Sequence, residues 1–108
     1  MPVEYVFEIE DWLGRPVRLT QRTFNNHVNK RSITSEYLEE AKTTIRDPDV
    51  VQPSSSGATL LYRFGLGRPP YSRLYLMVAV HYQTRRGTQE GAVATYFFTD
   101  TLVVLLLS

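Results

Sequence analysis

Residues 19–48 read LTQRTFNNHVNKRSITSEYLEEAKTTIRDP, and the fold reading turns on this stretch. Its pattern predicts two short helices. Thr20 suits the N-cap of the first, with Leu19 before it and Phe24 placed to close a hydrophobic staple. Thr34 suits the N-cap of the second, and Ile33 and Leu38 repeat the staple spacing. On a 3.6-residue period Phe24 and Val28 form the apolar stripe of the first helix, with His27 and Arg31 one turn apart along its margin. The second helix is expected to bury Leu38, Ala41 and Ile45 beside Tyr37, and to stop near Asp47 because the residue before Pro48 disfavours helical backbone.

Outward from this pair the chain reads as strands. Val3, Tyr5, Phe7 and Ile9 alternate with Glu4, Glu8 and Glu10, a period-2 pattern that puts the apolar set on one face. Asp11 to Pro16 is a turn in which Trp12 either anchors one end of the core, the simpler reading, or offers a ring for base stacking, and Val17-Arg18-Leu19 returns briefly as a strand. Beyond the helices, residues 49–53 are extended and Ser54 to Gly57 turn. Thr59 to Phe64 is a strand with Leu60, Tyr62 and Phe64 on one face. Residues 65–70 form a loop whose prolines would interrupt a ladder. Arg73 to Gln83 is apolar on both faces, which argues for a central strand. Residues 84–90 read as the loop of a long hairpin, and Gly91 to Thr99 as its return, with Val93, Thr95, Phe97 and Thr99 on one face. The order predicts an α+β domain over residues 1–108: an N-terminal helix pair packed on an antiparallel sheet of about four strands. Residues 102–108 form an apolar tail, read as a further buried strand, a partner-binding edge or part of a helix in a longer parent protein.

Bulk composition excludes several classes. A hydrophobic fraction of 43% with 21% charged residues is ordinary for a globular domain rather than a disordered chain. Twelve basic residues against eleven acidic ones leave a formal charge of +1, so any nucleic-acid site must arise from local clustering. With no cysteine, disulfides and thiolate metal sites are excluded, which suits a reducing cytoplasm. The acidic, alternating N-terminus is unlike a signal peptide. The six-residue apolar run at Leu102–Leu107 is far short of the ~20 residues that span a bilayer. A soluble, cytoplasmic protein without membrane association is expected.

Candidate chemistry is concentrated in two histidines. His27 is either a half-covered margin residue or a general acid/base near neutral pH, which imidazole suits intrinsically. Arg31 would lower its proton affinity and bind a phosphate, or be simply solvated. His81 shares a strand face with Tyr75, Met77 and Ala79. No spacing of histidines and carboxylates repeats a metal site, and neither a P-loop nor a nucleophile elbow is present. Basic and aromatic residues interleave late in the chain, where rings can stack on unpaired bases and guanidinium groups contact phosphates. Tyr62, Arg63, His81 and Arg85 are the candidate substrate-binding residues; the alternative is a tyrosine-rich sheet with arginines on its loops.

The segments Leu19-Thr20, His27-Val28-x-x-Arg31, Pro48-Asp49-Val50-Val51 and Val93-Ala94-Thr95-Tyr96 resemble the small phage- and mobile-element-associated nucleases of the barnase–EndoU–colicin–RelE superfamily. The resemblance covers most of the chain in order. It implies helices on a four-stranded antiparallel sheet, and metal-independent RNA cleavage in which the 2′-hydroxyl attacks the adjacent phosphate. His27 and Arg31 match the first-helix motif, and Thr95, with Tyr96, matches the polar position of the last strand. Ser32 stands where the family often carries a second histidine, so His81, Tyr96 or Tyr62 would supply the second proton-transfer group. The expected function is a cofactor-free endoribonuclease acting as a toxin or mobile-element effector, restrained by a protein inhibitor or parent domain. The alternatives are a non-catalytic module that binds RNA or a protein partner, and an assembly protein that oligomerises through Leu102–Leu107.

Overall fold

A computed structural model describes residues 4–28 and 36–100, with backbone alone at residues 27 and 28. Six strands form one mixed sheet: β1 (Tyr5–Glu10), β2 (Pro16–Thr20), β3 (Val50–Pro53), β4 (Thr59–Phe64), β5 (Tyr75–Arg85) and β6 (Thr88–Thr99). Their spatial order is β1-β2-β6-β5-β4-β3. Neighbours are antiparallel except β2 and β6, which run parallel over Val17↔Gly91 and Arg18↔Ala92.

The expected helix pair on a four-stranded antiparallel sheet is corrected by this architecture. One helix of more than a single turn is described, α2 (Leu38–Arg46). The first segment, α1 (Gln21–Thr23), winds one turn and widens into a π-helical turn over Phe24–Val28. Asn25 and Asn26 fall in that turn; both are weak helix formers whose amides compete for backbone partners. Thr20 does cap the segment, its hydroxyl accepting from the Thr23 amide at 3.1 Å. The proposed cap Thr34 lies outside the described residues, as do Val3, Ile33 and the tail 101–108. The two extra strands come from one long-range and one local pairing: the β1–β2 hairpin docks on β6, and β3 adds to the edge of β4 as a short hairpin.

Helix α2 lies on one face of the sheet. Glu39 and Glu40 in its first turn and Arg46 in its last complement its dipole. Ala41 and Ile45 are fully buried against Phe7, Val17, Leu19, Leu61, Leu76, Val78, Val80 and Val93. Burying a side chain the size of Ile45 contributes about 1.5–3 kcal/mol. Thr44 is also buried, its hydroxyl satisfied by the Glu40 carbonyl at 2.9 Å. The helix ends at Asp47, whose amide still reaches the Thr43 carbonyl. The opposite face carries a second apolar cluster of Ala58, Tyr62, Met77 and Ala79.

Three local departures decide which side chains reach which face. In β1 the register slips between Tyr5 and Phe7, so Phe7 and Ile9 face the helix while Tyr5 opposes Thr20. In β6 Val93 pairs with Val80 and Thr95 with Ala79, leaving Ala94 as an extra residue between them, a bulge that breaks the expected alternation. Val93, Tyr96 and Phe98 consequently join the helix-side core, and Ala94 and Phe97 the opposite cluster. The expected loop at 84–90 is instead a tight turn. Strand β5 continues to Arg85, β6 begins at Thr88, and Arg86 and Gly87 turn with φ of 53° and 81°. Positive φ at both central residues is the hairpin geometry that matches strand twist.

Candidate functional site

The face of the sheet away from α2 holds two neighbouring cavities over β6 and β5. The first encloses about 460 Å³ and is lined by Thr23, His81, Val93, Ala94 and Thr95 with Ala92. Its location follows from the chain path. Strand β2 pairs with β6 only as far as Arg18 and Ala92, and the helical segment from Gln21 to Val28 then packs against β6. The β6 bulge turns Thr95 into the space between them. His81, one residue beyond the core residue Val80, is exposed on the floor.

The second cavity encloses about 340 Å³ and shares His81 and Ala92 with the first. Tyr5, Arg18 and Thr20 line it from one hairpin, and Gln83, Arg85 and Glu90 from the other. Its electrostatics are divided. Arg18 is paired through Nε with Glu8 and through Nη1 with Glu90 at 3.3 Å, and its guanidinium lies 5.7 Å from the Tyr5 ring. Two carboxylates on one guanidinium cancel most of its reach. Arg85 is exposed and has no carboxylate partner among the described residues.

The structure brings some of the residues expected in the site together and separates others. Thr95 and His81 share the first cavity, and His81 and Arg85 share the second. The backbone of His27 belongs to the helical turn packed on β6; Arg31 lies outside the described residues. Tyr96 is fully buried on the helix side, across the sheet from Thr95. Burial, with Glu40 nearby, pushes its hydroxyl up to about 12, and that hydroxyl has no hydrogen-bond partner among the described residues. Tyr62 is 1% exposed within the opposite apolar cluster. Arg63 faces the helix side, where it binds the Asp47 carboxylate at 2.7 Å at the end of α2.

A polar cluster that the sequence reading did not single out joins the two hairpins. The Asp11 carboxylate accepts from the Leu13 and Arg15 amides, both at 2.9 Å, and from Arg15 Nε and the Tyr82 hydroxyl, both at 2.7 Å. Burial alone would raise its pKa, but these bonds outweigh it and hold the carboxyl below its ordinary value. Burial and the bond to Asp11 push the Tyr82 hydroxyl well up. Arg15 lies 4.0 Å over the Tyr82 ring and 5.0 Å over Trp12, and donates to Gln89 at 2.9 Å. The sequence signal was there: an aspartate opening a turn, with an arginine four residues on.

Among the described residues no group of three or more histidines and carboxylates is arranged to hold a metal ion, and no helix is long and apolar enough to cross a membrane. In comparison with known proteins, no family model, curated sequence or solved structure matches this chain.

Proposed function

We propose that this protein is an endoribonuclease that cuts single-stranded RNA in the cavity beside Thr95. The observation that carries the reading is the meeting there of Thr23, at the head of the helical segment that runs on to His27 and packs on β6, with Thr95 of the bulged strand and His81. The resemblance of the His27 and Thr95 segments to barnase–EndoU–colicin–RelE nucleases supports the same chemistry. The 2′-oxygen forms a bond to the adjacent phosphorus and the P–O5′ bond breaks, giving a 2′,3′-cyclic phosphate and a 5′-hydroxyl. His27 takes the 2′-hydroxyl proton as general base, and a second group returns a proton to the leaving 5′-oxygen. Arg31 and Thr95 stabilise charge on the phosphoryl oxygens. The nucleophile belongs to the substrate, so activating it calls for no metal-bound hydroxide.

His81 is the favoured second proton-transfer group. Of the three residues that could replace the histidine absent at Ser32, it is the one exposed on the cavity; Tyr96 and Tyr62 are buried. In this reading the enzyme acts on RNA in the cytoplasm as a toxin or mobile-element effector, held in check by a protein inhibitor or parent domain. The test is cleavage of labelled total RNA in EDTA by wild type, His27→Ala, Arg31→Ala, His81→Ala and Thr95→Ala. Cyclic-phosphate ends from wild type, with losses of about 10²–10⁴ in His27→Ala and His81→Ala, are expected. Equal cutting by wild type and the histidine variants would refute the assignment. An intact RNA panel with folded wild type would favour a non-catalytic binding module.

A further inference from the structure

The second cavity has a chemistry of its own, whose use by the protein rests on the ribonuclease reading of the first. Because His81 lines both, a strand reacting beside His81 has its neighbouring nucleotide within reach of the groove at Tyr5. That groove holds about 340 Å³, near the lower end for pockets that take one small ligand, so it suits a single nucleoside. Tyr5 is 46% exposed and offers a ring on which any base can stack. Arg85 suits a phosphate, whereas Arg18 is already committed to two carboxylates.

The remaining groups discriminate between bases. Glu90 is held by Arg18 Nη1 at 3.3 Å, which orients its carboxylate and leaves acceptor capacity unused. Gln83 stands directly opposite Glu90 in the β5–β6 ladder and adds an amide. A carboxylate accepts hydrogen bonds and donates none, so it attracts an exocyclic amine and repels a carbonyl oxygen. Adenine, cytosine and guanine carry such an amine; uracil has none, and its one ring donor, N3–H, is flanked by two carbonyl oxygens that a carboxylate repels. We infer that this groove is a base-reading subsite that selects an amino-bearing base over uracil in a nucleotide flanking the cleaved bond. Glu90, supported by Gln83, determines the preference, and Tyr5 supplies base-independent stacking.

Two readouts test this separately from cleavage chemistry. The first is cleavage, in EDTA, of single-stranded oligoribonucleotides that differ only in the bases flanking one site. Wild type is expected to favour an amino-bearing base over uracil about tenfold in kcat/KM, the scale of one good polar base contact. Glu90→Gln should bring the ratio to within about twofold, and Tyr5→Ala should slow all members alike. Glu8→Gln removes the same charge from Arg18 outside the groove and should leave the ratio unchanged. The second readout is binding of the same panel in uncleavable 2′-deoxy form, deoxyuridine included, by fluorescence anisotropy. A binding preference lost in Glu90→Gln, without any cleavage, would keep the subsite and overturn the ribonuclease reading. Cleavage without base preference, or with a preference that Glu90→Gln leaves intact, would overturn the subsite alone. Neither cleavage nor binding would overturn both.

Discussion

Asparagine at position 11 should cost this protein about 3 kcal/mol at neutral pH, and the cost should shrink in acid. The Asp11 side chain is fully buried and serves four donors: the Leu13 and Arg15 amides, Arg15 Nε and the Tyr82 hydroxyl. The variant Asp11→Asn keeps the shape but places an NH₂ where two of those donors converge. Breaking a buried ion pair from one side costs about 3–5 kcal/mol. The lower end applies because Arg15 is 21% exposed and retains its bond to Gln89. For a domain of this size the loss corresponds to a fall in Tm of roughly 12 °C.

The sign of the pH dependence follows from the lowered carboxyl. A folded-state value below the unfolded one, about 3.9, stabilises the protein fully above that pH. The contribution fades as pH falls through the folded value. Urea unfolding of wild type and Asp11→Asn between pH 7 and pH 3 should therefore show a gap that is widest at neutrality and begins to narrow below about pH 4. A neutral-pH difference under ~0.5 kcal/mol, the size of an ordinary surface substitution, would refute the reasoning. So would a gap that persists undiminished at pH 3. Adding Tyr82→Phe should reveal coupling of at least ~0.5 kcal/mol, since the two share one hydrogen bond.

Other perturbations test the fold at separate points. Gly91→Ala would place a Cβ 2.8 Å from Val80 Cγ1, 2.9 Å from Tyr82 Cε1 and 3.0 Å from Val17 Cγ2, where β2 meets β6. Overpacking of this kind costs about 1–3 kcal/mol, readable as a lower urea midpoint at constant m-value. Ile45→Ala, at a fully buried position on α2, should lose about 2–5 kcal/mol by the same assay. Thr20→Ala removes the cap of the helical segment that carries His27 and should cost about 1 kcal/mol. Faster hydrogen exchange at the Thr23 amide, with the α2 amides unchanged, would localise that loss.

What was legible in the sequence was local. The 3.6-residue spacing of Tyr37, Leu38, Ala41 and Ile45 marked the buried face of α2, and Pro48 marked its end. Two-faced apolar character marked β5 as internal, and Leu60, Tyr62 and Phe64 do share a face of β4. The number of strands in the sheet and their partners was not legible, because a parallel contact between residues 17 and 91 leaves no trace in either segment's periodicity. Gly91 was the sole hint: a glycine inside a strand marks a close approach as readily as a weak point. The bulges at Tyr5/Phe7 and at Ala94 were equally silent, since each shifts one residue within an otherwise regular alternation.

Those two bulges are also what make the candidate site. With unbroken alternation in β1, Tyr5 would share a face with Phe7 and Ile9 on the helix side, and the groove beside His81 would lose its aromatic wall. With unbroken alternation in β6, the Thr95 side chain would share a face with Val93, which packs in the core beneath α2, and would be turned away from the His81 face. The same shift carries Tyr96 into that core, where its hydroxyl is cut off from solvent, and leaves Thr95 as the polar side chain presented to the cavity. Bulges recur next to functional sites because they redirect one side chain while the surrounding ladder stays paired. Here two of them, on strands from different hairpins, point toward the same histidine. That convergence is a stronger argument for a site around His81 than any single residue in it.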